Sequence, residues 1–561
     1  ATQSHLINSN IRSFRLPCDR RSIPPTPVAR PLPKQTDPRM RLPIFLITAL
    51  LVVGAAAGPT FAQEAAPAAS TLERSFRGKA YSPYANRSFA TNVYWGDTHL
   101  HTSYSFDAGA FGARLDPTDA YKFARGEQVT SSTGQPVKLA RPLDFLVVAD
   151  HSDNMGFFPD LFAGKPELLA DPIGRDWYDR IQLGGQDAVG VALELISKFS
   201  QLTFPETMMY LPDSRPYRAA WEKTIDAAEK ANTPGVFTAF IGYEWTSNTG
   251  GNNLHRVIIY RDDESKASQT VPLTTYPPQG TDNPRDLWTW LEDYEKKTGG
   301  DVLAIAHNGN LSNGIMFPEI ESFTGKPIDA EYAEKRAKWE RLYEVTQIKG
   351  DGEAHPFLSP NDEFADYETW DVGNLDLSVV KTNDMLQNEY ARSALKIGLK
   401  AESQLGTNPY KFGLIGSTDS HTGLATADDD NFFGKHAGAE PEAGRMTHEF
   451  MRNGDAVLYG WQQVASGYAA VWAQENTRKS IFDAMERKET YATTGPRMLV
   501  RFFGGWDFDD SDANSRSPGE IGYRKGVPMG GDLRAGGAGD APSFLVAALK
   551  DPIGANLDRV Q

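Results

Sequence analysis

At 561 residues, with 40% hydrophobic side chains and 11 tryptophans, the chain can bury a large core and is too varied for a fibrous, repeat or low-complexity protein. Its net charge of −16 is unevenly spread: eight of the 57 Lys/Arg but only two of the 73 Asp/Glu fall in residues 1–62, leaving −22 on the rest. Such an acidic remainder lacks the basic footprint that phosphate backbones require, which excludes nucleic acid as a partner.

In chain order, residues 1–39 are Pro- and Arg-rich and read as an over-long N-terminal extension ahead of a start at Met40. Residues 40–62 have the form of a signal peptide: basic Arg41, an apolar run over 42–57, then Thr60-Phe61-Ala62 before Gln63. The apolar run is short for a membrane span, so a periplasmic or secreted chain with no stable membrane insertion after cleavage is expected. The single cysteine, Cys18, lies in the extension, which leaves the mature chain without a disulfide or thiolate ligand. Residues 63–90 are Ala/Ser/Pro-rich and read as a linker.

From there, strand-like runs near 93–97, 144–150, 236–245, 302–307, 341–347, 412–419 and 490–495 alternate with helical patterns. The helices are expected over 116–127, where Asp116 and Pro117 form an N-terminal signal, and over 284–297, 388–404 and 476–489. Short apolar strands between helices indicate parallel strands covered by helices. Over 91–500 we therefore expect an α/β fold, a distorted seven-stranded (β/α) TIM-like barrel. The intervals 152–235 and 420–475 are long enough to be insertions. Residues 501–561 predict a small C-terminal β appendage, with a strand over 543–551; it reaches Gln561 without a closing turn, so a continuing segment is expected.

The chemically capable residues fall at the strand ends. His99 and His101 close the first run in "GDTHLHTSYSFDA", with Asp107 following; alternate strand residues share a face, so the two imidazoles project together. His151 closes the second, Glu244 the third and His307 the fourth, His255 follows Glu244 by eleven residues, and Asp419 and His421 close the sixth. In a barrel, the C-terminal strand ends form one catalytic face. Six histidines and three carboxylates without sulfur suit zinc, manganese, iron or nickel. Nine donors exceed one coordination shell and fit two or three divalent ions, with a carboxylate such as Glu244 able to bridge. Paired ions generate hydroxide near neutral pH and clamp a phosphoryl or carbonyl oxygen.

Those stretches, with "LDFLVVADHSDNMG", "FIGYEWTSN", "NNLHRVIIYRD", "AIAHNGN", "IKGDGEAHPFLSPND" and "IGSTDSHTG", resemble the PHP (polymerase and histidinol phosphatase) superfamily over roughly 90–500, and within it the PHP-like domain-of-unknown-function family 3604. The resemblance implies a multinuclear hydrolase. His99, His101, Glu244 and Asp419 would hold one ion, Glu244, His255 and His307 a second, and Asp107, His151 and His421 a third. Asp107 stands where some phosphatase members have histidine, and its spacing from His101 is one residue longer than in many PHP motifs.

The leading expectation is a zinc-, manganese- or iron-dependent hydrolase of a small-molecule phosphoester. Hydrolysis of an amide, carboxylic ester or lactone, or non-catalytic ligand capture, are the alternatives. Glu244 and Asp419 are the catalytic carboxylates expected at the metals. Lys349, Glu353 and His355 in "KGDGEAHP" are candidate substrate contacts, with Lys349 and His355 also candidate acid/base groups; an ordinary polar loop is the competing reading. Arg256 and Arg497 are candidate anion contacts, a salt bridge being favoured for Arg256 and a structural role being equally open for Arg497.

Overall fold

The computed structural model describes residues 89–561 apart from Gly184, Asp429, His448, residues 464–466 and Ala538. The extension, leader and all but the last two residues of the linker expected over 1–90 lie outside the described residues. Among those described, no helix is long and apolar enough to cross a membrane.

A curled sheet of nine strands organises the fold: β1 (Asn92–Leu100), β2 (Phe145–Val148), β3 (Thr238–Trp245), β4 (Arg256–Tyr260), β5 (Val302–Ala306), β6 (Leu342–Gln347), β7 (Gly413–Gly416), β8 (Tyr468–Ala473) and β9 (Thr490–Thr493). Their spatial order is β7-β6-β5-β4-β3-β2-β1-β8-β9. All seven expected runs are strands of a mixed α/β fold, and the sheet is a curled half-barrel compatible with the expected barrel-like architecture, with nine strands where seven were expected. Two further strands enter, and β4, β8 and β9 pair antiparallel to their neighbours. Apolar content reveals that a run is buried, not which way it points.

Beyond β7 the chain returns to β1. The His101 amide donates to the Ser420 carbonyl (2.9 Å) and the Asp419 amide to the His99 carbonyl (2.8 Å). Buried Asp97 secures this junction by accepting from the Thr418 amide (3.1 Å) and hydroxyl (2.5 Å) as well as from the His99 amide. Asp150 similarly accepts from the amide (2.6 Å) and hydroxyl (2.7 Å) of Thr102. Burial raises these carboxyls to about 6 and about 7, with their hydrogen bonds opposing it.

Helices α1 (Pro117–Ala124), α2 (Arg215–Ala231), α3 (Pro284–Thr298), α4 (Ala330–Trp339), α5 (Ala391–Leu405) and α6 (Arg478–Glu486) supply crossovers. Asp116, Asn283, Asp329 and Thr477 cap four of them through side-chain acceptors, satisfying first-turn amides that have no partner within the helix. Their inner faces bury Trp221 and Trp288, and aromatic side chains of this size dominate core energetics. The interval 152–235 holds four further α-helices of 4 to 16 residues ahead of α2. The loops after β5 and β6 and a ribbon (Glu449–Asn453 with Ala456–Tyr459) share a small core of Leu311, Trp370, Leu377 and Leu458. A three-stranded antiparallel sheet follows: β10 (Leu499–Gly505) lies between β11 (Gly526–Pro528) and β12 (Ser543–Leu549).

Candidate metal centre

Because β1, β2, β3 and β5 end on one face, His99, His101, His151, Glu244 and His307 meet there. His255 joins them because it precedes β4. An antiparallel strand starts where its predecessor stops, so the residue ahead of β4 lands beside Glu244. Asp419 arrives through the β7–β1 junction with φ of +50°, and Asn308, just after His307, has φ of +48°. Both are in the sparsely populated left-handed region, where non-glycine residues concentrate at functional sites.

The innermost donors are buried and face one another. His99 Nε2 lies 3.6 Å from Glu244 Oε2 and 3.6 Å from Asp419 Oδ1; His101 Nε2 lies 3.3 and 3.5 Å from the same two oxygens. Four donors held tetrahedrally about 2.1 Å from a zinc-like ion stand roughly 3.4 Å apart. Among the described residues, neither Nε2 makes a hydrogen bond, while Glu244 Oε2 lies 2.8 Å from His151 Nδ1. Buried lone pairs left facing each other in this way cost free energy unless a cation stands between them. The donor set therefore fits a divalent ion.

The second Glu244 oxygen, Oε1, lies 2.8 Å from His255 Nδ1 and 2.7 Å from His307 Nε2, so one carboxylate serves two donor groups. Burial alone would raise Glu244, but His151, His255, His307 and His99 outweigh it and hold the carboxyl well below its usual range. A third group gathers His101, Asp107, His151 and His421. Asp107 spans two imidazoles, at 3.0 Å to His151 Nε2 and 2.9 Å to His421 Nε2.

Neighbouring groups fix the rings. Glu344 accepts from His99 Nδ1 (3.1 Å) and Ser105 from His101 Nδ1 (2.9 Å), which turns both Nε2 lone pairs inward. The Asp419 carbonyl does the same for His421 Nδ1 (3.1 Å). Gln347 Nε2 donates to both Asn308 Oδ1 and Asp419 Oδ2, each at 2.5 Å. Glu344 is also close enough to form a donor group with His99 and His307.

Two lysines complete the site. Lys349 Nζ contacts Asp419 Oδ2, and Asn310 Nδ2 anchors the Lys349 carbonyl at 3.1 Å. Lys435 Nζ lies 2.8 Å from both Asp419 Oδ1 and the Asp419 carbonyl. Burial would raise the Asp419 carboxyl, but Lys349, Lys435 and two histidines keep it well below its usual range. Burial lowers Lys435, to about 7, against the pull of Asp419.

Lys435, Glu344 and Gln347 carry no signal in the sequence: each is a single polar residue outside any recognisable spacing. The other candidates are held within the scaffold. Glu353 pairs with Arg392 (2.8 Å) and His355 with Asp371 (2.9 Å). Arg256 is buried against Glu340 (3.0 Å), which Arg336 also reaches (3.1 Å). Arg497 donates to the Pro142 and Arg141 carbonyls, both at 2.8 Å.

Residues 88–561 match the family described as a protein of unknown function (DUF3604). The chain belongs to that family. Among curated proteins none matches it. One similar solved structure is a two-domain protein containing a predicted PHP-like metal-dependent phosphoesterase from Bacteroides vulgatus ATCC 8482. It is 10% identical, with a TM-score of 0.31, over 83% of this chain and 88% of that one. That overlap is too slight to transfer an activity.

Proposed function

We propose that this protein is a metal-dependent hydrolase of small-molecule phosphoesters. The observation that carries the reading is the set of inward-facing donors, His99 Nε2, His101 Nε2, Glu244 Oε2 and Asp419 Oδ1, separated by 3.3–3.6 Å. His99, His101, Glu244 and Asp419 would hold one divalent ion (zinc, manganese or iron) and Glu244, His255 and His307 a second; Asp107, His151 and His421 offer a third place. Bound ions of this kind supply a nucleophile at neutral pH and stabilise developing charge on a phosphoryl oxygen. Glu344 and Ser105 keep the His99 and His101 tautomers fixed, while Gln347, which also donates to Asn308, holds the Asp419 carboxylate. Lys349 and Lys435, beside Asp419, favour a phosphoryl over an uncharged acyl substrate.

The test is metal analysis of the mature chain followed by a screen of phosphomonoesters, phosphodiesters, carboxylic esters, lactones and amides. At least two ions per chain and turnover confined to phosphoesters are expected. Turnover of the acyl compounds alone would replace the substrate class, and one ion or none would remove the mechanism. We also propose export with cleavage after Ala62, which N-terminal sequencing of periplasmic protein checks.

A further inference from the structure

Lys435 stands out because it places a buried ammonium directly on Asp419, a proposed metal ligand. It reaches the site through a loop laid beside the ligand segment: the His421 amide donates to the Lys435 carbonyl (2.6 Å) and Ser420 Oγ to the Gly434 carbonyl (3.1 Å). An ammonium has three N–H donors. The Asp419 carbonyl and Oδ1 take two of them. The remaining neighbour is His421, whose Nδ1 and Nε2 lie 2.9 and 3.4 Å from Nζ. Distances so similar to both ring nitrogens put Nζ over the ring face, not along the in-plane lone pair of Nδ1. One donor is left for a ligand. Lys349, with Nζ on the other Asp419 oxygen, has donors left as well.

Charge points to the ligand. Asp107, Glu244, Glu344 and Asp419 contribute four negative charges and the two lysines two positive ones, within a largely enclosed site. Two divalent ions beside these lysines would make the open side of the site cationic, which favours an anionic ligand. An anionic phosphoryl group meets that charge; a neutral ester or amide does not.

We propose that Lys435 and Lys349 form a clamp that binds a dianionic phosphoryl group, making phosphomonoesters the substrate class. The inference rests on the metal-centre reading above. The lysines bracket Asp419 and present their remaining donors to phosphoryl oxygens, so recognition depends on charge and on the terminal, doubly ionised form of the phosphate.

The experiment is calorimetric titration of inorganic phosphate into the metal-loaded chain, unaltered and as Lys435→Met and Lys435→Arg, with metal content measured on each sample. Lys435→Met should keep its ions and bind phosphate at least about tenfold more weakly, as expected for a lost charge-assisted hydrogen bond. Lys435→Arg should retain most of the affinity. Should Lys435→Met fail to fold, Lys349→Met takes its place with the same expectation. Unchanged phosphate affinity at unchanged metal content would overturn the clamp while leaving the metal centre intact. Loss of ions from Lys435→Met would overturn it by showing that the lysine serves the ligands. Fewer than two ions in the unaltered chain would overturn the metal reading beneath both.

Discussion

The inner and outer donors of the centre are built differently. His99, His101, Glu244, His307 and Asp419 are at most 2% exposed, held between the Asp97 and Asp150 clamps, with the His99 and His101 lone pairs directed at carboxylate oxygens. Asp107, by contrast, is 29% exposed at its side chain and already pairs each oxygen with an imidazole, His151 or His421. The inner group is satisfied by a proton on His99 or by a metal cation between its donors; the outer group pairs carboxylate with imidazole directly. The difference predicts that preorganisation, not the number of ligands, would set which place a metal fills first.

The largest effect that could break this comparison belongs to Glu244→Gln. Two donor groups share Glu244, so both inner ions should be weakened together and hydrolysis should fall below detection. Tight metal binding adds about 4 kcal/mol at a thousandfold excess over Kd, so the melting temperature should drop by several degrees. Metal analysis and calorimetry check this; loss of one ion alone would refute the bridge. Next comes Glu344→Ala, which frees the His99 ring without removing a member of the proposed inner pair. Metal affinity should fall roughly 10- to 100-fold in chelator competition.

The pH dependence sharpens the same contrast. Burial disfavours a charged His99, yet Asp419, Glu344 and Glu244 outweigh it and raise the metal-free ring to about 10. An entering ion must displace that proton, so apparent affinity should rise with pH, up to roughly tenfold per unit below about pH 10 for one displaced proton. Proton release on metal addition at pH 7.5 in weak buffer measures it; no release would contradict the assignment. His151→Ala should have a smaller effect, lowering only the third increment of metal content and leaving the two inner ions in place. Smallest of all, Arg497→Met should leave metal content and KM unchanged and lower the melting temperature slightly, since its guanidinium serves two backbone carbonyls.

Much of the site was legible before the fold. His99 and His101, two residues apart at a strand end, already share a face, and His151, Glu244 and His307 each follow an apolar run. The seven runs were recognisable because each is a short apolar segment bounded by polar or turn residues. β4 and β8 were not counted among them, and the antiparallel direction of β4, β8 and β9 has no local signature. Glu344 sits within "RLYEVTQ" as an ordinary strand glutamate; it becomes a partner of His99 only across a sequence separation of 245. The ion pair of Arg256 with Glu340 likewise spans 84 residues, so a lysine- or arginine-containing motif alone could not separate a scaffold cation from a ligand-binding one.

The sequence by itself determined the donor chemistry of this protein: imidazole and carboxylate without thiolate, placed at the ends of buried strands, because side-chain type and strand periodicity are local properties. Tertiary structure alone decided how those donors divide into groups, which carboxylate serves two of them, and which cations reach Asp419. Those outcomes depend on strand direction and on contacts between distant segments, such as His255 arriving on antiparallel β4 and Lys435 arriving on a loop laid against His421. Charge and lone-pair interactions act over a few ångströms in space, and separation along the chain carries no measure of that distance.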